Sequence, residues 1–183
     1  GGMSWKHLGL KNTERIKRIV VDPKDPNVAC VCALGKEWGP NKERGVFKTI
    51  DGGKTWEKIL YIDENTGCAD IAMETNNPRI MYAGMWTFRR KPWRFDDGGK
   101  NTALYRTMDG GQTWKKIMNG LPNKDMARPG VHIAQSEPNI IYLMTEFKGG
   151  GTAFKSEDRG ENWKMVNDDP NINFRPFYYS DVR

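Results

Sequence analysis

The sequence predicts an all-β fold made of repeated four-stranded antiparallel units. Three observations support this: one turn motif recurs three times, short alternating apolar runs flank each copy, and proline or glycine interrupts every run. No segment holds the 3.6-residue apolar period of a helix for long, so a helical fold is not expected. With 20 Gly, 10 Pro and 37% hydrophobic residues, the composition suits many turns around a real core.

The repeated motif reads TIDGGKTW at 49–56, TMDGGQTW at 107–114 and SEDRGENW at 156–163. Its period is about 50 residues. The first residues, GGMSW, match the end of the same motif, and Trp5 falls on the period. The alternative is that Gly1 and Gly2 remain from an expression tag before a starting Met. We favour a truncated repeat, because the tag explanation leaves the position of Trp5 unexplained.

Each repeat predicts four short strands, A to D in chain order. The A and B strands lie in the apolar runs 19–34, 71–86 and 131–144, which turn at Pro26, Pro78 and Pro138. The C strands end at the motif (45–48, 103–106 and 153–155), and D strands follow it (57–60 and 115–118). Repeated four-stranded units of this length are typical of β-propeller blades. We predict blades at about 16–61, 68–118 and 130–166, with 1–8 and 177–183 as strands of flanking blades.

Folding explains why the same residue types recur in each copy of the motif. The aspartates suit turns that accept backbone hydrogen bonds, the glycines allow positive φ, and the tryptophans offer a large area for burial. We therefore assign a structural role to Asp51, Gly53, Trp56, Asp109, Gly111, Trp114, Asp158, Gly160 and Trp163.

These motifs resemble the Asp-box, or bacterial neuraminidase repeat, with the pattern S/T-x-D-x-G-x-T-W. The first two copies match every position, whereas the third has Asn162 in place of Thr. The resemblance covers essentially the whole chain and implies a propeller like those of sialidases, xyloglucan-cleaving glycosidases and sortilin-type receptors. The stretch MWTFRRKPWRFDDGG, followed by ALYRTMDGGQTW, is most similar to bacterial sortilin-like propellers that are often labelled glycosyl hydrolases. In these families the box is structural and lies at the blade periphery.

The chain is expected to form about three and a half blades of a larger ring, because propellers usually close with about 4–8 blades. Open blade edges attract further strands. We expect either the remainder of a longer chain or a second copy of this chain to cover those edges.

Strand direction predicts the functional face. The A–B and C–D turns share one face, and the long B–C and D–A loops share the other, where ligand-binding groups usually gather. The B–C loops are 35–44, 87–102 and 146–152. Arginine binds carboxylates in a bidentate manner, and a Trp face stacks on a sugar ring or a cation. The candidate ligand-binding residues for an acidic glycan or polypeptide are Trp38, Arg89, Arg90, Trp93, Arg94, Asp96 and Asp97. The alternative is that Trp93 and its neighbours only pack on the channel or an adjacent blade.

The principal hypothesis is a binding or scaffold module, and the alternative is part of a glycoside hydrolase. No catalytic residue is assigned, although several carboxyls lie on or near the loop face: Glu37, Asp63, Glu64, Asp70, Asp96, Asp97 and Glu146. Sialidases carry an early F-R-I-P, and the nearest text here, Phe174-Arg175-Pro176, lacks the Ile and lies at the opposite end. The xyloglucanase aspartates cannot be placed residue by residue on this chain.

Composition narrows the other possibilities. The net charge of +6 comes from scattered residues, so we expect no nucleic-acid partner. No apolar stretch of about 20 residues and no signal peptide appear, and no membrane partner is expected. Neither metal nor cofactor is predicted, since the two His residues have no ligand spacing. Cys30, Cys32 and Cys68 are interpreted as small core residues rather than a disulfide framework. The expected location is extracellular or periplasmic.

Overall fold

A computed structural model of the chain describes residues 2–147 and 153–173. The first sheet comprises strands β1 (Ile16–Asp22), β2 (Asp25–Ala33), β3 (Gly45–Thr49) and β4 (Glu57–Leu60). The second comprises β5 (Thr66–Met73), β6 (Met81–Lys91), β7 (Arg94–Asp97), β8 (Ala103–Thr107) and β9 (Lys115–Lys116). The third comprises β10 (Gly130–Ile133), β11 (Ile141–Met144), β12 (Ala153–Ser156) and β13 (Lys164–Asn167). Two 3₁₀ helices, Lys11–Thr13 and Pro170–Asn173, complete the described elements.

Each sheet is an antiparallel meander in chain order, which confirms the all-β prediction and the A-to-D arrangement of the strands. We call the three sheets blades 1, 2 and 3. In blade 2 the strand order is β5-β6-β8-β9, and β7 pairs only with β6. Residues 2–8 form no strand, in contrast to the expectation for the start of the chain. The expected strand at 177–183 and the residues 174–176 lie outside the described residues.

The core lies between the blades rather than within one of them. One apolar cluster joins the rear of blade 1, including Cys30 and Val46, to the front of blade 2, including Ile71. A second joins the rear of blade 2, including Tyr82, to the front of blade 3, including Ile133. Because successive side chains of a strand point to opposite faces, one strand contributes to the layers on both sides.

The A strands of neighbouring blades lie side by side, with β5 in contact with both β1 and β10. Asp70 on β5 joins all three blades at this level. Its carboxylate accepts two hydrogen bonds from neighbouring blades. One comes from Arg18 Nε on β1, and the other comes from the backbone N–H of Val131 on β10 at 3.0 Å. Asp70 is 2% exposed, and burial raises the pKa of its carboxyl, which Arg18 opposes. It was among the carboxyls expected near the loop face, but its contacts give it a structural role.

The repeated turns share one hydrogen-bond network. In the first, the N–H of Gly53 donates to Thr49 Oγ1 at 2.9 Å, and the N–H of Thr55 donates to Asp51 Oδ1 at 3.0 Å. The second turn repeats these contacts around Asp109, and the third repeats them around Asp158, where Asn162 replaces the threonine. Hydrogen bonds from Thr55 and Thr113 hold the pKa of Asp51 and Asp109 well below the usual range, and Asn162 lowers that of Asp158 to about 2. These carboxylates therefore stay ionised and serve as turn acceptors.

The second and third turns also fasten their blades to the preceding one. Lys48 Nζ of blade 1 donates to the Gly110 carbonyl of blade 2 at 2.8 Å, and Arg106 Nη1 of blade 2 donates to the Arg159 carbonyl of blade 3 at 2.7 Å. The two acceptors hold the same place in the motif, one residue after the aspartate.

An apolar side chain of the preceding blade covers the next glycine of the motif. A Cβ at Gly111 would lie 2.6 Å from Ile59 Cδ1, and one at Gly160 would lie 2.7 Å from Ile117 Cδ1. The positive φ of both positions favours glycine, and a Cβ there would also force the isoleucine side chain to shift. Trp163 Nε1 then donates to the Ile117 carbonyl at 3.1 Å. We call the contacts made by the cation and the apolar side chain the blade clasp. Between blades, the tryptophan bond is confined to the blade 2–3 junction, because Trp114 Nε1 has no hydrogen-bond partner within the described residues.

Residues 5–8 supply half of a blade clasp at the front of blade 1. Leu8 stands three residues after Trp5, as Ile59 does after Trp56, and a Cβ at Gly53 would lie 2.9 Å from Leu8 Cδ1. Trp56 Nε1 donates to the Leu8 carbonyl at 2.7 Å. This register supports a truncated repeat at residues 1–5, although the segment is not a strand.

The cysteine interpretation was wrong in one respect. Cys30, Cys32 and Cys68 are all fully buried, as expected for core residues, but Cys32 on β2 and Cys68 on β5 form a disulfide. Cys30 is free. Because the bond joins adjacent blades, the sequence spacing of 36 residues gave no local signal for it.

Candidate ligand-binding face

The longest B–C loop is more ordered than the sequence indicated. The segment 87–102 was expected to be irregular, but β6 continues to Lys91 and pairs with β7 to form a hairpin. Its backbone is held by neighbouring loops: the N–H of Arg90 donates to the Glu37 carbonyl at 3.1 Å, and that of Phe88 donates to the Asn65 carbonyl at 3.3 Å. The hairpin is therefore a rigid projection supported by blade 1.

The two predicted tryptophans are both exposed. Trp93 lies in the turn of the β6–β7 hairpin and is 81% exposed, and Trp38 lies in the blade 1 B–C loop and is 62% exposed. Neither ring is therefore buried against the three described blades. Trp38 directly follows Glu37, the residue that holds the hairpin, so both aromatic rings belong to one braced region.

The predicted charged residues divide into two groups. Arg89 donates to Asn65 Oδ1, and Arg90 pairs with Glu37 at 3.4 Å while its guanidinium lies 4.6 Å from the centre of the Phe95 ring. Arg94 pairs with Asp96 on the hairpin itself, and these two neutralise each other. Arg89 and Arg90 thus point toward blade 1 partners, whereas Arg94 does not belong to that group.

Asp97 has a separate environment. Trp86 Nε1 donates to Asp97 Oδ1 at 2.8 Å, and burial raises the pKa of the Asp97 carboxyl, with Glu146 contributing in the same direction. By contrast, hydrogen bonds from Asn65, Asn101 and Thr66 outweigh burial at Asp63 and lower its pKa. The expected carboxyls therefore do not form a single site.

An arginine cluster around Phe88 was missed in the sequence. The Arg44 guanidinium lies 4.6 Å from the centre of the Phe88 ring, and that of Arg15 lies 5.1 Å from it. Arg89 follows Phe88 on β6. We call Arg15, Arg44 and Arg89 the arginine cluster. Its members come from the D–A connection, the blade 1 B–C loop and the blade 2 hairpin, and no local pattern joins them.

Arg44 organises the blade 1 loop. It is fully buried and donates to the carbonyls of Leu34 at 2.8 Å, Gly39 at 3.2 Å and Lys36. These three acceptors flank Trp38 and Glu37, so the arginine fixes the loop that presents them. The guanidinium N–H groups donate to loop carbonyls that would otherwise need hydrogen bonds from water.

The three guanidinium groups of the arginine cluster lie close enough to interact, and Asp63, Glu14 and Glu37 are the neighbouring carboxylates that oppose their charge. Burial, followed by the neighbouring Arg89 and Arg15, lowers the pKa of Arg44 to about 10, so it remains charged at neutral pH. Glu37 accepts from Arg15 at 3.3 Å and also from Arg90. Within the described part of the chain, three buried guanidinium nitrogens of the cluster have no hydrogen-bond partner: Arg15 Nη2, Arg44 Nε and Arg89 Nε. Because these nitrogens are buried, a ligand could approach the cluster only at the partly exposed Arg15 and Arg89.

Two cavities with lysines in their walls also open on the loop side. One of about 280 Å³ lies between the first 3₁₀ helix and the blade 1 B–C loop, and Lys11, Lys36 and Lys42 line it. The other, of about 350 Å³, includes Lys100, Lys116 and Lys124. Carboxylates share both walls, Glu14 and Glu43 in the first cavity and Asp125 in the second.

Across 2–147 and 153–173, no group of three or more His, Cys, Asp or Glu side chains is arranged to hold a metal ion. In the same ranges no helix combines the length and apolar character needed to cross a bilayer.

Comparisons with known proteins agree with the fold. No family model matches the chain. A sialidase from Bacteroides fragilis (strain YCH46) is 27% identical over 156 aligned residues, which cover 67% of this chain and 28% of the sialidase. An ancestral GH74 enzyme has a TM-score of 0.62 with 19% identity, over 86% of this chain and 19% of its own.

A different protein, YCF48, shares the same architecture. YCF48 from Cyanidioschyzon merolae has a TM-score of 0.57 with 20% identity, over 93% of this chain and 46% of its own. A structure of YCF48 bound to D1 peptide has a TM-score of 0.50 with 16% identity, over 87% and 41% of the two chains. This chain thus spans less than half the length of each of these relatives. Strand order, repeated turns and structural likeness together identify the described residues as three consecutive blades of a β-propeller, similar to those of glycoside hydrolases and of YCF48.

Proposed function

We propose that this propeller segment is a binding module that recognises an acidic polypeptide or glycan on its loop face. The observation that carries the proposal is the arginine cluster, two members of which, Arg15 and Arg89, are partly exposed while the buried Arg44 supports them from beneath. A carboxylate placed beside Arg15 and Arg89 would accept hydrogen bonds from guanidinium groups that are already held in place. Preorganised donors lower the cost of ordering the site when the ligand binds.

The exposed rings of Trp38 and Trp93 would provide the apolar part of recognition. An aromatic face stacks against a sugar ring or a peptide side chain, and exposed tryptophans are common among residues that dominate binding energy. The D1 peptide in the YCF48 complex supports a polypeptide ligand, and the sialidase and GH74 likenesses support a glycan.

Binding can be tested with two pairs of probes: a Glu-rich against a Lys-rich peptide, and sialyllactose against lactose. We expect the acidic member of at least one pair to bind more tightly, and its affinity to fall as salt rises. Combined replacement Arg89→Ala and Trp93→Ala should abolish that binding. The matched control is Arg79→Ala with Trp5→Ala, an exposed pair outside the loop face. Equal affinity for acidic and neutral probes, or retained binding in the first variant, would reject the proposal.

The second candidate is a glycoside hydrolase function for the protein that contains these blades. Asp97 favours it, because a carboxyl with a raised pKa is suited to act as a general acid, and Glu146 lies near enough to raise that pKa further. Fluorogenic sialosides and xyloglucan oligosaccharides would reveal turnover. An activity that Asp97→Asn removes and Asp96→Asn leaves intact would support the enzyme over the binding module.

We further propose that the repeated turns are Asp-boxes, with the closest relationship to the sortilin-like group, and that the chain functions in an extracellular or periplasmic compartment. The disulfide between Cys32 and Cys68 supports an oxidising environment. A fluorescent fusion to the native gene, combined with thiol labelling of intact cells, would test the location. Cytosolic fluorescence with reduced cysteines would contradict it.

A further inference from the structure

We propose that Glu37 is an internal competitor of the acidic ligand: its carboxylate pairs with Arg15 in the free protein, and the carboxylate of the ligand takes its place. This inference rests on the proposed function and names the residue that sets affinity and selectivity at the same site. It starts from a conflict within that site. Arg15 is one of the two cluster arginines that a ligand can reach, and Glu37 already occupies it.

The two ion pairs of Glu37 are longer than strong pairs of this kind. Its Oε2 lies 3.3 Å from Arg15 Nη1, and its Oε1 lies 3.4 Å from Arg90 Nε. Charge-assisted hydrogen bonds between nitrogen and a carboxylate are usually about 2.7–2.9 Å long. Because the Glu37 carboxylate is shared between two arginines, it approaches neither of them closely. A ligand carboxylate that approaches Arg15 alone is free of this constraint and can pair more tightly.

The Glu37 carboxylate can leave Arg15 at low cost. Its side chain is 35% exposed and that of Arg15 is 38% exposed, so water reaches the pair. Ion pairs between such exposed side chains contribute little to stability, because solvent screens them and both side chains lose freedom. Once released, the Glu37 carboxylate is hydrated again.

Departure of the carboxylate leaves the surrounding backbone in place. The Arg90 N–H donates to the backbone carbonyl of Glu37 at 3.1 Å, and this bond does not involve the carboxylate. Arg44 separately holds the carbonyls of Lys36 and Gly39, which flank Glu37 and Trp38. The brace between the loop and the hairpin is therefore independent of the charge on Glu37.

Both arginines also have other contacts that keep them in position. Arg15 Nε donates to the Gly35 carbonyl at 3.2 Å, and the Arg15 guanidinium lies 5.1 Å from the centre of the Phe88 ring. The Arg90 guanidinium lies 4.6 Å from the centre of the Phe95 ring. The donors therefore remain preorganised when Glu37 leaves, which lowers the cost of binding a new acceptor.

The competition also explains why a carboxylate stands at this place in the free protein. The guanidinium groups of the arginine cluster lie close enough to repel one another, and Glu37 supplies a compensating anion. A ligand carboxylate can replace it without a change in local charge, whereas a neutral ligand cannot. Exchange of one carboxylate for another thus favours acidic ligands over neutral ones.

Calorimetric titration of the 183-residue chain with the Glu-rich peptide and with sialyllactose tests the proposal. Glutamine keeps the shape of the Glu37 side chain and removes its charge. We expect Glu37→Gln to bind about three to ten times more tightly whichever acidic probe binds the unsubstituted chain. The matched control is Glu43→Gln, which removes the same charge from the same loop, but from a side chain that pairs with Lys58 at 3.7 Å. In about 150 mM salt this control should change the affinity by less than about twofold.

Stability and hydrogen exchange separate competition from a purely structural role of Glu37. Loss of the two pairs should lower the urea unfolding midpoint of Glu37→Gln slightly while the affinity rises, whereas loss of a brace would lower both. The Arg90 amide should exchange as slowly as in the unsubstituted chain, because its bond to the Glu37 carbonyl is kept. Faster exchange of that amide together with weaker binding would overturn the proposal.

The binding results also distinguish this inference from the proposed function. If an acidic probe binds the unsubstituted chain, and Glu37→Gln binds it equally or more weakly, competition by Glu37 is rejected and the binding module stands. Equal strengthening by Glu43→Gln would reveal a general effect of net charge and would reject competition as well. If neither the unsubstituted chain nor Glu37→Gln binds an acidic probe, both proposals fail.

Discussion

Removal of the disulfide between Cys32 and Cys68 should lower the stability of the chain by an amount that its loop length predicts. The bond closes a loop with a sequence separation of 36 residues. Loop-closure entropy for that length corresponds to about 3.8 kcal/mol at room temperature. With a urea m-value of about 2 kcal/mol per molar, the unfolding midpoint should fall by about 2 M.

The measurement compares three samples in urea: the oxidised chain, the chain with a reductant, and the double variant Cys32→Ala with Cys68→Ala. The reduced chain separates loss of the cross-link from loss of side-chain volume, which the alanines add. The matched control is Cys30→Ala, since Cys30 is buried nearby on β2 but forms no bond. In that control, the reductant should lower the urea unfolding midpoint by as much as it does in the unsubstituted chain.

Thiol labelling of the urea-unfolded chain shows directly whether the bond exists. Without reductant, one of the three cysteines should react, and with reductant all three should react. Three reactive thiols before reduction would refute the disulfide. One reactive thiol combined with identical midpoints in the oxidised and reduced samples would refute the loop-entropy reasoning instead.

Three further predictions concern the turns and clasps. Ile117→Ala should cost about 2–4 kcal/mol in urea unfolding because it leaves a cavity at a buried junction, whereas Val166→Ala at the equivalent exposed position should change little. The motif carboxylates have lowered pKa values in the fold, so their stabilisation is present above the ordinary pKa near 4. It should be lost as pH falls toward about 2, the pKa of Asp158. Thermal unfolding between pH 7 and 2 measures this loss, and a decline confined to pH above 5 would contradict it. Arg44→Lys should cost about 1–3 kcal/mol, since the compact ammonium of lysine cannot reproduce the planar, spread-out donors with which the guanidinium reaches three separate carbonyls, and unchanged hydrogen exchange in residues 35–39 would count against that role.

The fold could be predicted from the sequence because the same turn motif, with the same flanking strand pattern, occurs three times. The turn aspartate, the close-approach glycine and the alternating strands are encoded within eight to sixteen adjacent residues, and the structure confirms the meander they predict. The hairpin at 88–97 was missed because its apolar alternation is interrupted by arginines, which gain their partners only from blade 1. Local pattern cannot show such partners.

The candidate site was predictable in part. The exposure of Trp38 and Trp93 followed from their loop positions, but Arg15 and Arg44 read as ordinary solvated charges. They acquire their role only when three distant segments meet around Phe88. The disulfide was missed for the same reason, since Cys32 and Cys68 become neighbours only when two blades pack. In each case the missing information was tertiary contact between repeats.

The placement of the single cross-link has a consequence for how the molecule comes apart. A disulfide cross-links blades 1 and 2, whereas blade 3, apart from its backbone connection, is held to blade 2 by packing, hydrogen bonds and ion pairs. In arrays where each repeat contacts only its neighbours, local stability follows the strength of each junction. Under mechanical tension or protease treatment, blade 3 should therefore unfold first. Blades 1 and 2 should persist as one resistant fragment.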